Sequence, residues 1–283
     1  MNPDRKTYIG GPDAAMICGL SPYGGAFDVW QRKMGLVGEM EDPATVIRVG
    51  SALEDLVCEL YTERTGYGLR ETETVIAATD TWRGGSADRI IYNGDGQYVG
   101  ILEAKVTSGW KRADYGEEGT DEVPAHFLIQ CAWYLKLWGL PWADLAVLFL
   151  PHTFCTFHVE RNMKLETNLI ERCRRFWFDH VVTGTPPEVD GSAGAGDYLQ
   201  TQFPRNTLDM LSSDDAPEAE EIMRKLSFQK SALDVAERKR RHHEQQLMKI
   251  IGDHDGVQCG AGKSTWKADV NGKRRFKFTD YTD

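Results

Sequence analysis

The spacing of apolar residues changes period several times along the chain, and each change predicts an element. Phe27, Trp30 and Met34 recur at helical spacing and predict a helix from Ala26 to about Met34. Leu53, Leu56, Val57, Leu60 and Tyr61 form a second stripe over Gly50 to Thr65, bounded by Gly50-Ser51 and Gly66. The period then falls to two. Gly84 to Val106, GGSADRIIYNGDGQYVGILEAKV, reads as two short strands about Asn93-Gly94-Asp95-Gly96, whose residues tolerate positive φ. In the second strand Val99, Ile101, Glu103, Lys105 and Thr107 share one face, and Leu102, Ala104 and Val106 the other. A two- or four-residue loop places Asp88 almost opposite Ile101, on the Glu103 face, whereas an odd loop or a bulge turns it away.

Helical spacing returns from Pro124 to Trp138, with proline early and His126, Gln130, Trp133 and Leu137 on one side. Leu145 to Leu150 and Phe154 to Glu160 predict a strand pair around Pro151-His152-Thr153, and Thr167 to Val182 an amphipathic helix that covers the sheet. Gly184-Thr185-Pro186-Pro187 and Gly191 to Gly196 read as linker. Beyond them come a long helix, Ala216 to Ile251, and a hairpin from Gly260 to Asp283 turning at Asn271-Gly272. The chain therefore divides into residues 1–190 and a C-terminal helix-plus-hairpin extension, 205–283, suited to DNA contact, an oligomer interface or a partner.

Composition narrows the class. At 283 residues, 41% hydrophobic and 27% charged, the chain buries a real core. No apolar run reaches a membrane span, the first residues form no signal peptide, and six scattered cysteines read as free thiols of a reducing cytoplasm. A net charge of −10 is unlike a DNA-binding protein as a whole, so phosphate contacts need a localised basic track. Arg238-Lys239-Arg240-Arg241-His242-His243 and the mixture of Trp266, Lys267, Lys273, Arg274, Arg275, Phe276 and Lys277 supply candidates; a solvated charge run is the alternative.

The chemistry concentrates on Asp88, Glu103 and Lys105. Two carboxylates and a lysine converging from paired strands suit a divalent-metal site with an adjacent cation, and hence phosphodiester hydrolysis. Glu54 borders the apolar stripe of its helix, where an acid is paired, protonated or metal-bound, or else sits on an exposed rim. Thr107 to Val123 reads as a mobile loop whose Trp110 could stack on DNA and whose Lys111 and Arg112 could meet phosphates; a plain solvated loop is the alternative. Strand alternation separates Cys155 from His152 and His158, which breaks a zinc site. Gly260-Ala261-Gly262-Lys263-Ser264-Thr265 lacks the first glycine of a phosphate-binding loop, since Val257 stands there.

An acid on a helix, then an aspartate, then Glu-x-Lys on neighbouring strands resembles the PD-(D/E)XK nuclease superfamily. IGGPDAAMICGLSPYGGAFDVW, GSALEDLVCELYTERTG and the Gln130 helix further resemble the YqaJ-type phage recombination nucleases, relatives of phage lambda exonuclease, over about the first two-thirds of the chain. The resemblance implies an α/β (α+β) core with a central mixed sheet flanked by helices. It implies two Mg2+ ions, with Mn2+ able to substitute: Asp88 bridging, Glu103 and the Ala104 carbonyl completing one site, Glu54 binding the second. Lys105 then orients or deprotonates the water, its proton affinity lowered beside the ions. Gln130 stands near the metals, and Arg5 clamps the DNA 5′ phosphate. Pro12 replaces the family's serine there and offers neither hydroxyl nor amide donor. The implied activity is 5′-to-3′ digestion of double-stranded DNA ends, leaving 3′ strands for a phage annealing protein. A ring-shaped homo-oligomer and a phage-encoded enzyme in the bacterial cytoplasm complete the expectation, with no membrane. A structure-specific or nicking endonuclease and a non-catalytic DNA-binding module are the rival readings.

Overall fold

Alternation along Tyr98–Ser108 builds the central strand of a five-stranded sheet in this computed structural model, which describes residues 3–37, 45–206 and 210–280. The elements in chain order begin with helices α1 (Gly11–Ile17), α2 (Ala26–Met34) and α3 (Thr45–Thr65). Strands β1 (Gly68–Glu71), β2 (Val75–Ile76), β3 (Gly84–Gly85), β4 (Arg89–Tyr92) and β5 (Tyr98–Ser108) follow. Next come α4 (Ala125–Trp138), β6 (Trp142–Leu150), β7 (Thr153–Glu160), α5 (Met163–Phe176) and α6 (Ala193–Gln202). The chain continues with α7 (Pro217–Ile251), β8 (Gly256–Cys259), β9 (Gly262–Ala268) and β10 (Arg274–Asp280). The main sheet has the order β1-β4-β5-β6-β7 and is mixed: β5 and β6 run parallel, the other neighbours antiparallel. Among the described residues no helix is long and apolar enough to cross a membrane.

Each face of the sheet has its own cover. Ile101, Ala143 and Val159 lie under α1, α4 and α5 in the main core. On the same face Leu145, Val147, Phe149, Cys155 and Phe157 meet Tyr115 and Phe127. Leu102, Ala104, Ala146 and Leu148 face α3 through Val57, Cys58 and Tyr61. The stripe of α3 is thus narrower than its sequence predicts: Leu56 is 40% exposed, because the helix rests on the 57–58–61 line. It also begins at Thr45 and passes through Gly50, whose helical cost of about 1 kcal/mol the remaining turns absorb.

One buried bond pins α3 to the sheet. Tyr61 donates to Asp144 Oδ2 at 2.6 Å, while His158 Nδ1 meets Asp144 Oδ1 at 2.7 Å. Cys155 turns to the opposite face, as alternation requires. Tyr61→Phe leaves a buried carboxylate short of a donor and is expected to cost about 1–3 kcal/mol, read as a lower urea midpoint.

One reading of the chain is corrected here. Gly191 to Gly196 is no linker: α6 begins within it, with Ala195 buried and Tyr198 against Phe27 and Trp30. Asp190 Oδ2 accepts from the Phe27 amide at 3.0 Å, an approach so close that a Cβ on Gly25 would lie 2.0 Å from that oxygen. The first compact unit accordingly runs to Gln202, beyond the expected residue 190, and a second begins at Phe203. The expected C-terminal hairpin is present, β9 pairing with β10 across the Asn271-Gly272 turn, and Gly256–Cys259 adds an edge strand to make a three-stranded sheet, β10-β9-β8. Gly262 opens β9, where a phosphate-binding loop would lead into a helix.

Candidate active site

Register decides the site. Arg89 pairs with Leu102 and Ile90 with Ile101, so Asp88 precedes β4 nearly opposite Glu103, two residues beyond its expected partner Ile101. The turn from Asn93 to Gln97 holds five residues, an odd number, and the register shifts once more between Ile91 and Tyr92, where Val99 is the extra residue of β5. Two odd steps cancel, and Asp88 keeps the Glu103 face.

The face they share is tightly bonded. Asp88 Oδ2 accepts from the Ala104 amide at 2.8 Å and from Lys105 Nζ at 3.2 Å. Glu103 Oε2 accepts from Lys105 Nζ at 2.8 Å and from Gln130 Nε2 at 2.7 Å. Glu103 is 1% exposed, and its Oε1 is buried without any hydrogen-bond partner. Burial first, then repulsion from Asp88, raises its pKa to about 8 against the pull of Lys105. For Lys105 burial acts to lower the pKa, but Glu103 and Asp88 together outweigh it and raise it above the ordinary lysine range. The protein's own groups thus hold Lys105 protonated, and the lowered proton affinity expected beside metal ions depends on those ions.

Other expected residues are placed as follows. Gln130 reaches Glu103 from α4, one turn before Tyr134, whose hydroxyl is buried near Glu103 and Lys105 and kept neutral by that burial. Spacing alone could have found Tyr134, four residues from Gln130 on the same helix face. Glu54 is not brought into the Asp88–Glu103–Lys105 group. Its Oε1 accepts from Arg89 Nη1 at 2.9 Å, and the same Nη1 donates to the Asp88 carbonyl at 2.7 Å. Arg89, with Asp55 as a further partner at 2.8 Å, is a residue that sequence reasoning missed; alternation from Asp88 puts it on the α3 face. Ala104 contributes its amide, and its side chain packs toward α3. Among the described residues no cluster of three or more His, Cys, Asp or Glu side chains is arranged to hold an ion.

Arg5 stands over the Tyr8 ring, 3.7 Å from Asp13, which also binds Lys33 at 2.7 Å. Pro12 lies in the first turn of α1, and Gly11 beside it packs against Gln130 and Tyr134 so closely that a Cβ would lie 2.9 Å from each. The 107–123 segment is more ordered than a mobile loop. β5 extends to Ser108, Gly109–Asp114 forms a 3-10 helix, and Tyr115 is buried. Trp110 is half exposed and Lys111 pairs with Asp114 at 3.2 Å. Arg112 Nη1 is spent on the Tyr115 and Gly116 carbonyls, both at 2.9 Å, so it braces this segment.

A central mixed sheet between helices, with Asp88 beside Glu103 and Lys105 of its middle strand, is the arrangement that the resemblance to the PD-(D/E)XK nucleases implies. Residues 2–140 match the model of the YqaJ-like viral recombinase domain. The Bacillus subtilis (strain 168) protein YqaJ, itself uncharacterized, is 27% identical over 275 residues, covering 95% of this chain and 83% of that protein. The alkaline exonuclease LHK-Exo from Laribacter hongkongensis matches in fold at 13% identity and a TM-score of 0.51, over 71% of this chain and 95% of its own. Its complex with dAMP matches at 14% identity and a TM-score of 0.52, with the same coverage.

Proposed function

We propose that this chain is a magnesium-dependent exodeoxyribonuclease that digests double-stranded DNA from its ends, 5′ to 3′, leaving 3′ single strands for recombination. The observation that carries this reading is the Glu103 carboxylate, buried with Oε1 unpartnered while Lys105 and Gln130 hold Oε2. A buried carboxylate oxygen without a donor is costly, and a hard divalent cation is the partner that such an oxygen fits. Asp88, Glu103 and the Ala104 carbonyl would hold one ion, with Asp88 shared toward a second; Glu54 would join that second ion on release from Arg89. Bound Mg2+ or Mn2+ would polarise the phosphoryl group and stabilise the leaving 3′ oxygen.

The chain's own residues have distinct tasks around that chemistry. Lys105 Nζ, fixed between two carboxylates, orients the attacking water and handles its proton. Gln130 fixes Glu103 without adding a charge that competes for the ion. Arg5 takes the 5′ phosphate, while Trp110 and Lys111 meet the duplex and Arg112 stiffens the helical turn that carries them. The exonuclease fold of LHK-Exo and its dAMP complex agree with release of mononucleotides. A single-strand annealing protein and a ring of identical subunits fit the same role in a phage-infected cytoplasm.

The test is digestion of 5′-phosphorylated linear duplex beside a covalently closed circle in Mg2+. Mononucleotides are expected from the linear DNA alone. Cleavage of the circle would make the protein an endonuclease, and binding without cleavage of either would make it a DNA-binding module.

A further inference from the structure

We propose that the C-terminal unit carries a second duplex-DNA surface, a basic sheet face that grips phosphates without reading bases. Its choice of DNA as ligand rests on the nuclease reading; its geometry does not. Across β9 and β10, Lys267 pairs with Arg275, Thr265 with Lys277 and Lys263 with Thr279. Directly paired residues share a face, so Lys263, Lys267, Arg275 and Lys277 all stand on one side, joined from β8 by Gln258 opposite Lys263. All four cations are exposed.

The other side is occupied. Ser264 is buried there, and Trp266 and Arg274 form a groove with Met248, Lys249 and Gly252 at the end of α7. Arg274 stacks on Trp266 at 3.9 Å and donates to the carbonyls of Gly252 and His254, so it belongs to the packing of this unit. The last turns of α7 therefore cover the aromatic side and leave the basic side to solvent.

Three features make that side a polyanion surface. Lys267 and Arg275 face each other directly, a like-charge pair that costs sheet stability. Asp255 reaches Lys267 at 3.3 Å and Asp269 reaches Arg275 at 3.1 Å, but Lys263 and Lys277 have no acidic partner among the described residues. From Arg238 to Lys277 the chain has eleven lysines and arginines against four acids, in a protein whose net charge is −10. The run Arg238 to Arg241 takes four consecutive helical positions and so points all round α7, whereas the sheet gathers its cations onto one plane.

The face also selects among nucleic acids. Trp266, Phe276 and Phe278 share the opposite side by register, leaving the basic side without an aromatic group on which an unpaired base could stack. Phosphate contact alone is sequence-independent, and it favours the duplex with its higher charge density.

The experiment measures binding of a blunt duplex by the full chain in EDTA, across a salt series, for wild type and Lys263→Ala/Lys277→Ala. Losing two phosphate contacts is expected to reduce the slope of log K against log salt by about 2 and to weaken binding roughly 10- to 30-fold at physiological salt. Lys225→Ala/Lys230→Ala, the same charge change on exposed α7 positions, is expected to leave both unchanged. Amine-labelling of the wild type supplies a check free of mutation: duplex should protect Lys263 and Lys277 but not Lys225 or Lys230. An unchanged slope, an equal loss in the control pair, or a loss confined to single-stranded DNA would overturn the proposal. Binding in EDTA needs no cleavage, so an inactive nuclease would not mask the result, and a failed basic face would leave the nuclease reading standing.

Discussion

Lys105→Ala is expected to lower kcat about 10²- to 10⁴-fold, the range for a group that handles a proton or stabilises charge at the reacting phosphate. That is about 3–5 kcal/mol of transition-state stabilisation. The reason lies in its setting. Nζ bonds both Asp88 at 3.2 Å and Glu103 at 2.8 Å, and no other cationic side chain bonds to either carboxylate among the described residues. Lys105→Arg separates two roles. It keeps the charge but holds its proton at any working pH, so recovery of activity would assign Lys105 to electrostatic positioning and continued loss to proton transfer. Ion binding gives a second readout. Glu103 holds its proton up to about pH 8, so an ion that binds below that must displace it. Divalent affinity in titration calorimetry should then rise with pH toward about 8 and level off, with protons released on the rising limb. Lys105 is what pulls the Glu103 pKa down, so Lys105→Ala should move that rise to higher pH. A pH-independent affinity would remove Glu103 from the ion site.

How far the sequence reaches is clearest at these residues. Alternation put Glu103 and Lys105 on one face, because a strand's period is fixed by its backbone. It could not settle Asp88, whose side depends on two odd steps, the five-residue turn and the bulge, that cancel only in the folded hairpin. Gln130 was legible only through family resemblance, since a polar residue on a helix says nothing about what it faces. Its bond to Glu103 needs α4 laid across β5, which is tertiary information. The same holds for Glu54: the α3 stripe shows it beside the core, but Arg89, which takes its carboxylate, arrives from a strand 35 residues away. Glycine and serine made residues 191–196 look like linker, yet small side chains there let α6 press against α2, and packing overrode composition.

The cluster around Asp13 was equally hidden, because its members come from three separate elements, and it carries the largest expected change in stability. Asp13 accepts from the Gly10 amide at 3.1 Å and from Lys33 at 2.7 Å, with Arg32 at 3.4 Å and Arg5 at 3.7 Å. Burial raises the pKa of its carboxyl, but Lys33, Arg5 and Arg32 outweigh that and hold it below the ordinary aspartate range. Burial lowers the pKa of Lys33, and Asp13 restores only part, so the lysine stays at some cost. Asp13→Ala strands an ammonium whose side chain is only 3% exposed and is expected to cost about 3–5 kcal/mol in urea unfolding. Asp13→Ala/Lys33→Met should recover most of it, since neither charge is then buried alone. The pH dependence follows from the signs. A depressed carboxyl pKa gives stability that is present above about pH 4 and lost as the pH falls through the folded value, so wild type should weaken at acid pH more than Asp13→Ala does. In Asp13→Ala the Lys33 pKa falls further, and the variant should regain stability as pH rises toward the ordinary lysine value of about 10.4. A variant as stable as wild type at neutral pH would mean that Lys33 finds water or another acid, and that Asp13 does not hold α1 and Arg5 beside the Gln130–Tyr134 side of the site.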